Sequence, residues 1–244
     1  MAALVMLATI VTVVVNFLAA TGRINGVAPD EVSNRYPTVI TPAGWTFSIW
    51  SLIYTGLIAF SIYQLLPAKV ARFDRLRLPY IVSCILNCGW ILLWHHFHIG
   101  MCAVVITLLL ASLFWVNLRI EKPTSLVETI VVKGTFGLYA GWVTVATLVN
   151  VLVYLVSSDI EWSATVWVII GILCLVMAAA AAVLVRIRLG NFVYPLAVAW
   201  AAAGIGANQS GKSTAIVVTT AIVCIGCLIV AGTVVTELRD STSE

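Results

Sequence analysis

TPAGWTFSIWSLIY, residues 41–54, carries a polar, proline-containing loop into a long apolar run. Trp45, Phe47, Trp50 and Tyr54 crowd this turn. Trp50 and Tyr54 lie four apart, so they share one helical face with Phe47 close by. Rings at the head of a membrane helix form either an interfacial belt or the wall of a ligand pocket. The rest of the chain decides between these.

Of 244 residues, 62% are hydrophobic and only 9% charged, against roughly 25% charged in soluble domains. A spanning helix needs ~20 apolar residues, and the chain divides into about eight such runs with short connections. The expectation is an all-α, polytopic membrane bundle, with no room for a soluble catalytic domain. A net charge of +3 is too small and scattered for a nucleic-acid partner. No long run of alternating polarity suggests a barrel. All six cysteines fall inside apolar runs and read as packing residues rather than a disulfide framework, Cys224-x-x-Cys227 included.

The first span, residues 2–20, lacks a basic leader and reads as a genuine helix rather than a signal peptide. Residues 21–43 form the longest polar connection, of a length suited to a lid or binding element. The second span covers about 44–66 and the third about 79–97. The others are expected near 100–118, 130–156, 162–185, 191–207 and 214–236, before a short polar tail. Lys and Arg in the loops set orientation. Loops 2–3, 4–5 and 6–7 and the tail carry four, two, two and one basic residues, and the other side holds Arg23, Arg35 and Lys212. Both ends are therefore expected inside, with the 21–43 loop and the histidines outside.

Several motifs admit both a functional and a plainer reading. Gly206-Ala-Asn-Gln-Ser-Gly-Lys-Ser213 matches a phosphate-loop pattern, but it follows a membrane run rather than a strand. It reads as a turn between spans seven and eight, with no nucleotide partner. His95, His96 and His98 close the third span without a carboxylate beside them, so they read as interfacial residues rather than metal ligands. Membrane-depth acids and bases, which mark ion-coupled transport, are missing apart from Lys133 at the start of the fifth span. Asn16, Asn87, Asn117 and Asn150 carry the polarity instead. Such a cavity suits a flat, largely apolar ligand held by stacking and a few hydrogen bonds.

Three segments together resemble the translocator protein / tryptophan-rich sensory protein (TspO/MBR) family. Pro42 to Tyr54 is similar to that family's lead-in to its second helix. Leu86-Asn87-Cys88-Gly89-Trp90 with Trp94 is similar to its third helix, and Tyr139-Ala-Gly-Trp142 through Ala146 to Asn150 is similar to its fifth. The resemblance covers roughly residues 1–156. It implies a five-helix bundle there and a three-helix extension over 157–244 that ordinary five-helix members lack. Family members bind porphyrins, sterols and synthetic aromatic ligands within the bundle, beneath the first loop. Carried over by position, the implied lining is Trp50, Tyr54, Asn87, Trp90, Trp94, Tyr139, Trp142 and Asn150. The rings would stack on the ligand and the amides would bond its edge. The resemblance implies no obligatory cofactor and allows a porphyrin- or haem-like ligand.

The leading expectation is thus a non-enzymatic sensor or carrier for an apolar small molecule. The alternative is a structural subunit of a larger membrane complex. A small-solute transporter is supported only by the repeated Trp-x7-Asn spacing of Trp142/Asn150 and Trp200/Asn208. Membrane lipids, and a homodimer or complex partners, complete the expected company.

Overall fold

The computed structural model describes the backbone of residues 1–240 and the side chains of all of these except Ala68 and residues 234–240. The end of the expected tail, residues 241–244, and the Arg239 side chain counted for orientation lie outside the described residues. Eight long helices follow in order: α1 (Ala2–Ala20), α2 (Ile49–Tyr63), α3 (Asp74–His95), α4 (Ile99–Arg119), α5 (Thr135–Ser157), α6 (Ala164–Leu189), α7 (Val193–Gln209) and α8 (Thr214–Asp240). No strand occurs among the described residues. Seven of the helices, taken with their flanking turns, are long and apolar enough to cross a membrane. The eighth, α7, has 17 residues and so reaches about 26 Å at 1.5 Å per residue. Leu4, Leu7, Phe17, Ile222, Ile225 and Ile229 are exposed, as expected of side chains that face lipid. The protein is an integral, multi-pass membrane protein.

The most enclosed span is the one built on α5, of which 61% is buried. It packs against α2, α4, α6 and α7, while α1 closes on α2 and α3, and α8 on α6 and α7. Small residues allow the closest approach. A β-carbon on Gly141 of α5 would lie 2.6 Å from the Tyr194 carbonyl oxygen and 2.8 Å from Ala197 Cβ. Here α5 and α7 meet backbone to backbone, as small residues permit in membranes.

The loop over residues 21–43 is not a bare tether. It contains a seven-residue helix, Pro29–Arg35, whose Val32 and Ser33 are buried. It is fastened to the C-terminal end of α3 and the turn after it at three points. Asn25 Nδ2 donates to the His95 carbonyl at 2.7 Å, and Trp94 Nε1 donates to the Pro29 carbonyl at 3.0 Å. The Arg35 guanidinium sits 4.5 Å over the Phe97 ring.

Three expectations need correction. His95 is fully buried rather than interfacial, its Nδ1 lying 2.8 Å from the Ile91 carbonyl; only His96 and His98 are exposed. The third span starts five residues early, at Asp74, because an acid suits the first turn of a helix and Arg77 finds partners there. Arg77 donates to Gln64 Oε1 at 3.1 Å and to Asp74 Oδ1 at 2.7 Å, and is 5% exposed. The fifth span opens with a π-helical segment, Thr129–Gly134, so Lys133 lies on a wider turn than a regular first turn provides. Basic and acidic groups are therefore buried at the ends of the bundle, Arg77, Glu128 and Arg186 among them.

Candidate ligand site

The helical spacing of the rings brings α2, α3 and α5 together around one aromatic column. Trp50 stacks on Tyr54, its neighbour one turn on, with centroids 5.5 Å apart and planes at 15°. It also stacks on Trp90 of α3 at 6.0 Å and 28°. Trp90 in turn stacks on Trp94, at 5.8 Å and 26°. From α5, Tyr139 and Trp142 meet Trp50 edge-on at 5.8 and 6.2 Å, and Phe47 meets Trp142 edge-on at 6.0 Å. These are the offset and T-shaped arrangements that ring quadrupoles favour.

The amides expected to face a ligand are largely engaged within the protein. Asn87 accepts from Asn16 Nδ2 at 2.6 Å and donates to the Tyr139 hydroxyl at 2.7 Å. Asn150 Oδ1 accepts from Trp90 Nε1 at 3.1 Å, and its Nδ2 donates to the Ala146 carbonyl at 2.8 Å. Their first role is to fix α1, α3 and α5 against one another.

A cavity of about 30 Å³ remains between the rings, room for about two water molecules at ~10–15 Å³ each. Of the eight implied residues, Trp50, Trp90, Trp94, Trp142 and Asn150 line it, whereas Tyr54, Asn87 and Tyr139 belong to the same cluster but not to its wall. The wall also holds Ser33, Pro42, Phe47, Val145, Ala146, Val149 and Ala201. Val145, Ala146 and Val149 follow Trp142 at i+3, i+4 and i+7, so periodicity could have found them. Nothing in the sequence signals Ser33 or Ala201. Two polar groups of this wall, Trp142 Nε1 and the Ser33 hydroxyl, are buried without a hydrogen-bond partner. Buried polar groups are rarely left so. Together they offer a donor and a hydroxyl to a polar atom placed between them.

Residues 41–48 are positioned by α7. Ala43 N–H donates to the Gly204 carbonyl at 3.0 Å, Trp200 Nε1 to the Thr46 carbonyl at 2.9 Å, and Asn208 Nδ2 to the Thr41 carbonyl at 2.9 Å. Gln209 Nε2 reaches the Thr38 carbonyl at 3.3 Å. Irregular backbone near membrane depth needs such partners. They also account for Asn208 and Gln209 of the phosphate-loop pattern, whose residues 206–209 form the last turn of α7. The two members of the repeated Trp-x7-Asn spacing thus do different work, one in the aromatic column and one holding its lead-in. Trp45 points away from the column, 49% exposed and edge-on to Trp200 at 5.0 Å.

The family model described as TSPO-like protein matches residues 2–234, and so runs through α6 and α7 into α8 as well as through the first five helices. No curated protein and no solved structure matches the chain. By the extent of that match, the chain belongs to the TSPO-like protein family.

Proposed function

We propose that the protein is a non-enzymatic membrane sensor or carrier that binds a flat, largely apolar small molecule, tetrapyrrole- or sterol-like, at the aromatic column between α2, α3 and α5. Both chain ends lie inside, and the 21–43 loop covers the site from outside. The observation that carries this reading is the pair of unpartnered groups, Trp142 Nε1 and the Ser33 hydroxyl, on an otherwise aromatic wall. Ligand pockets combine an apolar lining with a few polar groups that fix orientation. Pockets for drug-sized ligands span ~300–1,000 Å³, so binding requires the Pro29–Arg35 helix and the indoles to move apart. Porphyrin titration followed by tryptophan emission is the test. Quenching is expected, with weaker affinity in the Trp50→Ala, Trp142→Ala double variant. Unchanged emission, or unchanged affinity in that variant, would refute the proposal.

A second reading, a structural subunit of a larger membrane assembly, draws on one observation: the rings already fill the site to within about 30 Å³. Sizing in native detergent separates the two. A lone monomer or homodimer argues against the subunit.

A further inference from the structure

A π-helical turn interrupts the span built on α5. Thr129–Gly134 wind as π between the single turn Leu126–Glu128 and α5 itself. Nothing in TIVVKG, residues 129–134, forbids an α turn, since it holds no proline and its one glycine closes it. A π turn is rare and occurs mostly as a single bulge at functional sites. Contacts from outside the segment must therefore hold this one.

Two side chains supply them. Asn117, near the end of α4, donates from Nδ2 to the Phe136 carbonyl at 3.1 Å. Asn191, in the turn before α7, donates from Nδ2 to the Lys133 carbonyl at 2.8 Å. The two amides also meet, with Asn191 Nδ2 lying 3.4 Å from Asn117 Oδ1, and both residues are buried. Side chains that insert into a helical ladder distort it. Gly137 provides the room, because a β-carbon there would collide with the Asn191 amide.

Just before the segment, Glu128 is 2% exposed. Its carboxylate accepts from Arg72 Nε at 2.6 Å, from Lys69 Nζ at 3.3 Å and from Thr124 Oγ1 at 2.8 Å. The winding of the next six residues decides whether this clasp can close. Bonding five residues back rather than four takes one extra residue into the turn, and one residue is about 100° of rotation. With Thr135 onward fixed in the bundle, α winding would set Thr129 on the bearing of Glu128. Glu128 would then take the bearing of Val127, which is 53% exposed.

We infer that Thr129–Gly134 is a register switch, pinned in its π form by the Asn117–Asn191 pair and closing to an α turn that rotates Glu128 out of its clasp once the pair withdraws. Control lies in helix packing: a shift of α4, or of the turn before α7, away from α5 removes the amides. The charge presented at the clasp, Glu128 against Lys69 and Arg72, then changes with the state of the bundle. The switch uses none of the rings of the aromatic column, so it stands or falls independently of the proposed small-molecule binding.

The test is carbodiimide coupling of carboxylates to a water-soluble amine in full-length protein in mild detergent, mapped by mass spectrometry. Glu161, exposed in the turn before α6, serves as reference, and Glu128 should be protected in the native chain. Asn117→Leu removes one amide. Asn191→Ser withdraws the other, yet keeps a side-chain oxygen for the Val193 and Tyr194 N–H groups that Asn191 Oδ1 accepts. In the double variant, coupling at Glu128 relative to Glu161 should rise about twenty-fivefold, at about fivefold per hydrogen bond. Amide exchange over residues 126–137 should stay as slow as in the native chain, because the segment rewinds rather than melts. Deleting Val131 from the double variant should restore protection, since an α turn one residue shorter returns Glu128 to its clasp. Deleting Val131 from the otherwise native chain should likewise leave Glu128 protected, which keeps the test valid should the double variant fail to fold. Protection of Glu128 in the double variant, faster exchange there, or exposure of Glu128 after either deletion would overturn the inference.

Discussion

Truncating Trp50 to alanine tests whether the aromatic column is a structural unit. Trp50 has four ring neighbours, Tyr54, Trp90, Tyr139 and Trp142, at 5.5 to 6.2 Å. In a water-soluble core a Trp→Ala change costs about 3–5 kcal/mol, but part of that is transfer from water. Lipid is as apolar as the bundle interior, so ring contacts dominate here. Four contacts at ~0.5–1.5 kcal/mol each bracket the loss at about 2–6 kcal/mol, and contacts that share one ring are not additive. We expect about 3 kcal/mol for Trp50→Ala. Trp45, half-exposed with a single edge-on neighbour, should cost about 1 kcal/mol on the same scale. The difference of about 2 kcal/mol is roughly thirtyfold in the unfolding equilibrium. Unfolding by SDS in mild-detergent micelles can be followed with a thiol-reactive dye, because Cys84 and Cys102 are buried. Free indole should raise the midpoint of Trp50→Ala by refilling the void, and leave Trp45→Ala where it is. Equal losses at the two positions, or a loss under 1 kcal/mol at Trp50, would refute the reasoning.

Three further outcomes are expected. Asn87→Leu leaves Asn16 and Tyr139 without their shared partner and should cost about 1–2 kcal/mol, near the upper end for membrane hydrogen bonds; an unchanged SDS midpoint would contradict this. Trp94→Phe keeps a ring against Trp90 but removes the donor to the Pro29 carbonyl. Amide exchange over residues 29–35 should then quicken about fivefold, for one hydrogen bond of ~1 kcal/mol, with the rest of the protein unaffected. Gly204→Ala places a methyl on the Thr46 side chain and should cost about 1–3 kcal/mol as an overpacking change. Thr46→Gly in the same chain should return at least half of that loss, as read by dye reactivity.

Much of this architecture can be read from apolar run length alone, since each span is a run of the length a bilayer demands. The aromatic column is also legible, because Trp50/Tyr54, Trp90/Trp94 and Tyr139/Trp142 recur at helical spacing. Other features leave no such trace. Asn87 and Asn150 can be seen to be buried, but whether their amides face a ligand or a neighbouring helix depends on where Asn16 and Trp90 fall in three dimensions. Ser33 reaches the cavity through the fold of a loop, and Ala201 through the closeness of α5 and α7; a serine in a loop and an alanine in a helix are unmarked. The grip of α7 on residues 38–46 runs mostly through backbone carbonyls, which every residue carries. Arg77 and Arg186 look like loop residues because basic residues usually end membrane helices, yet α3 begins before Arg77 and α6 ends after Arg186.

The hold of α7 on the lead-in to α2 has a consequence for biosynthesis. The carbonyls of Thr41 and Thr46 accept from Asn208 and Trp200, donors 167 and 154 residues later in the chain. At a synthesis rate of ~5–20 residues per second, roughly ten to thirty seconds separate the emergence of an acceptor from that of its donor. Through that interval the lead-in must keep its carbonyls in water or lend them to the insertion machinery. Final seating of the second helix is therefore a late event, completed only when the seventh enters the bilayer.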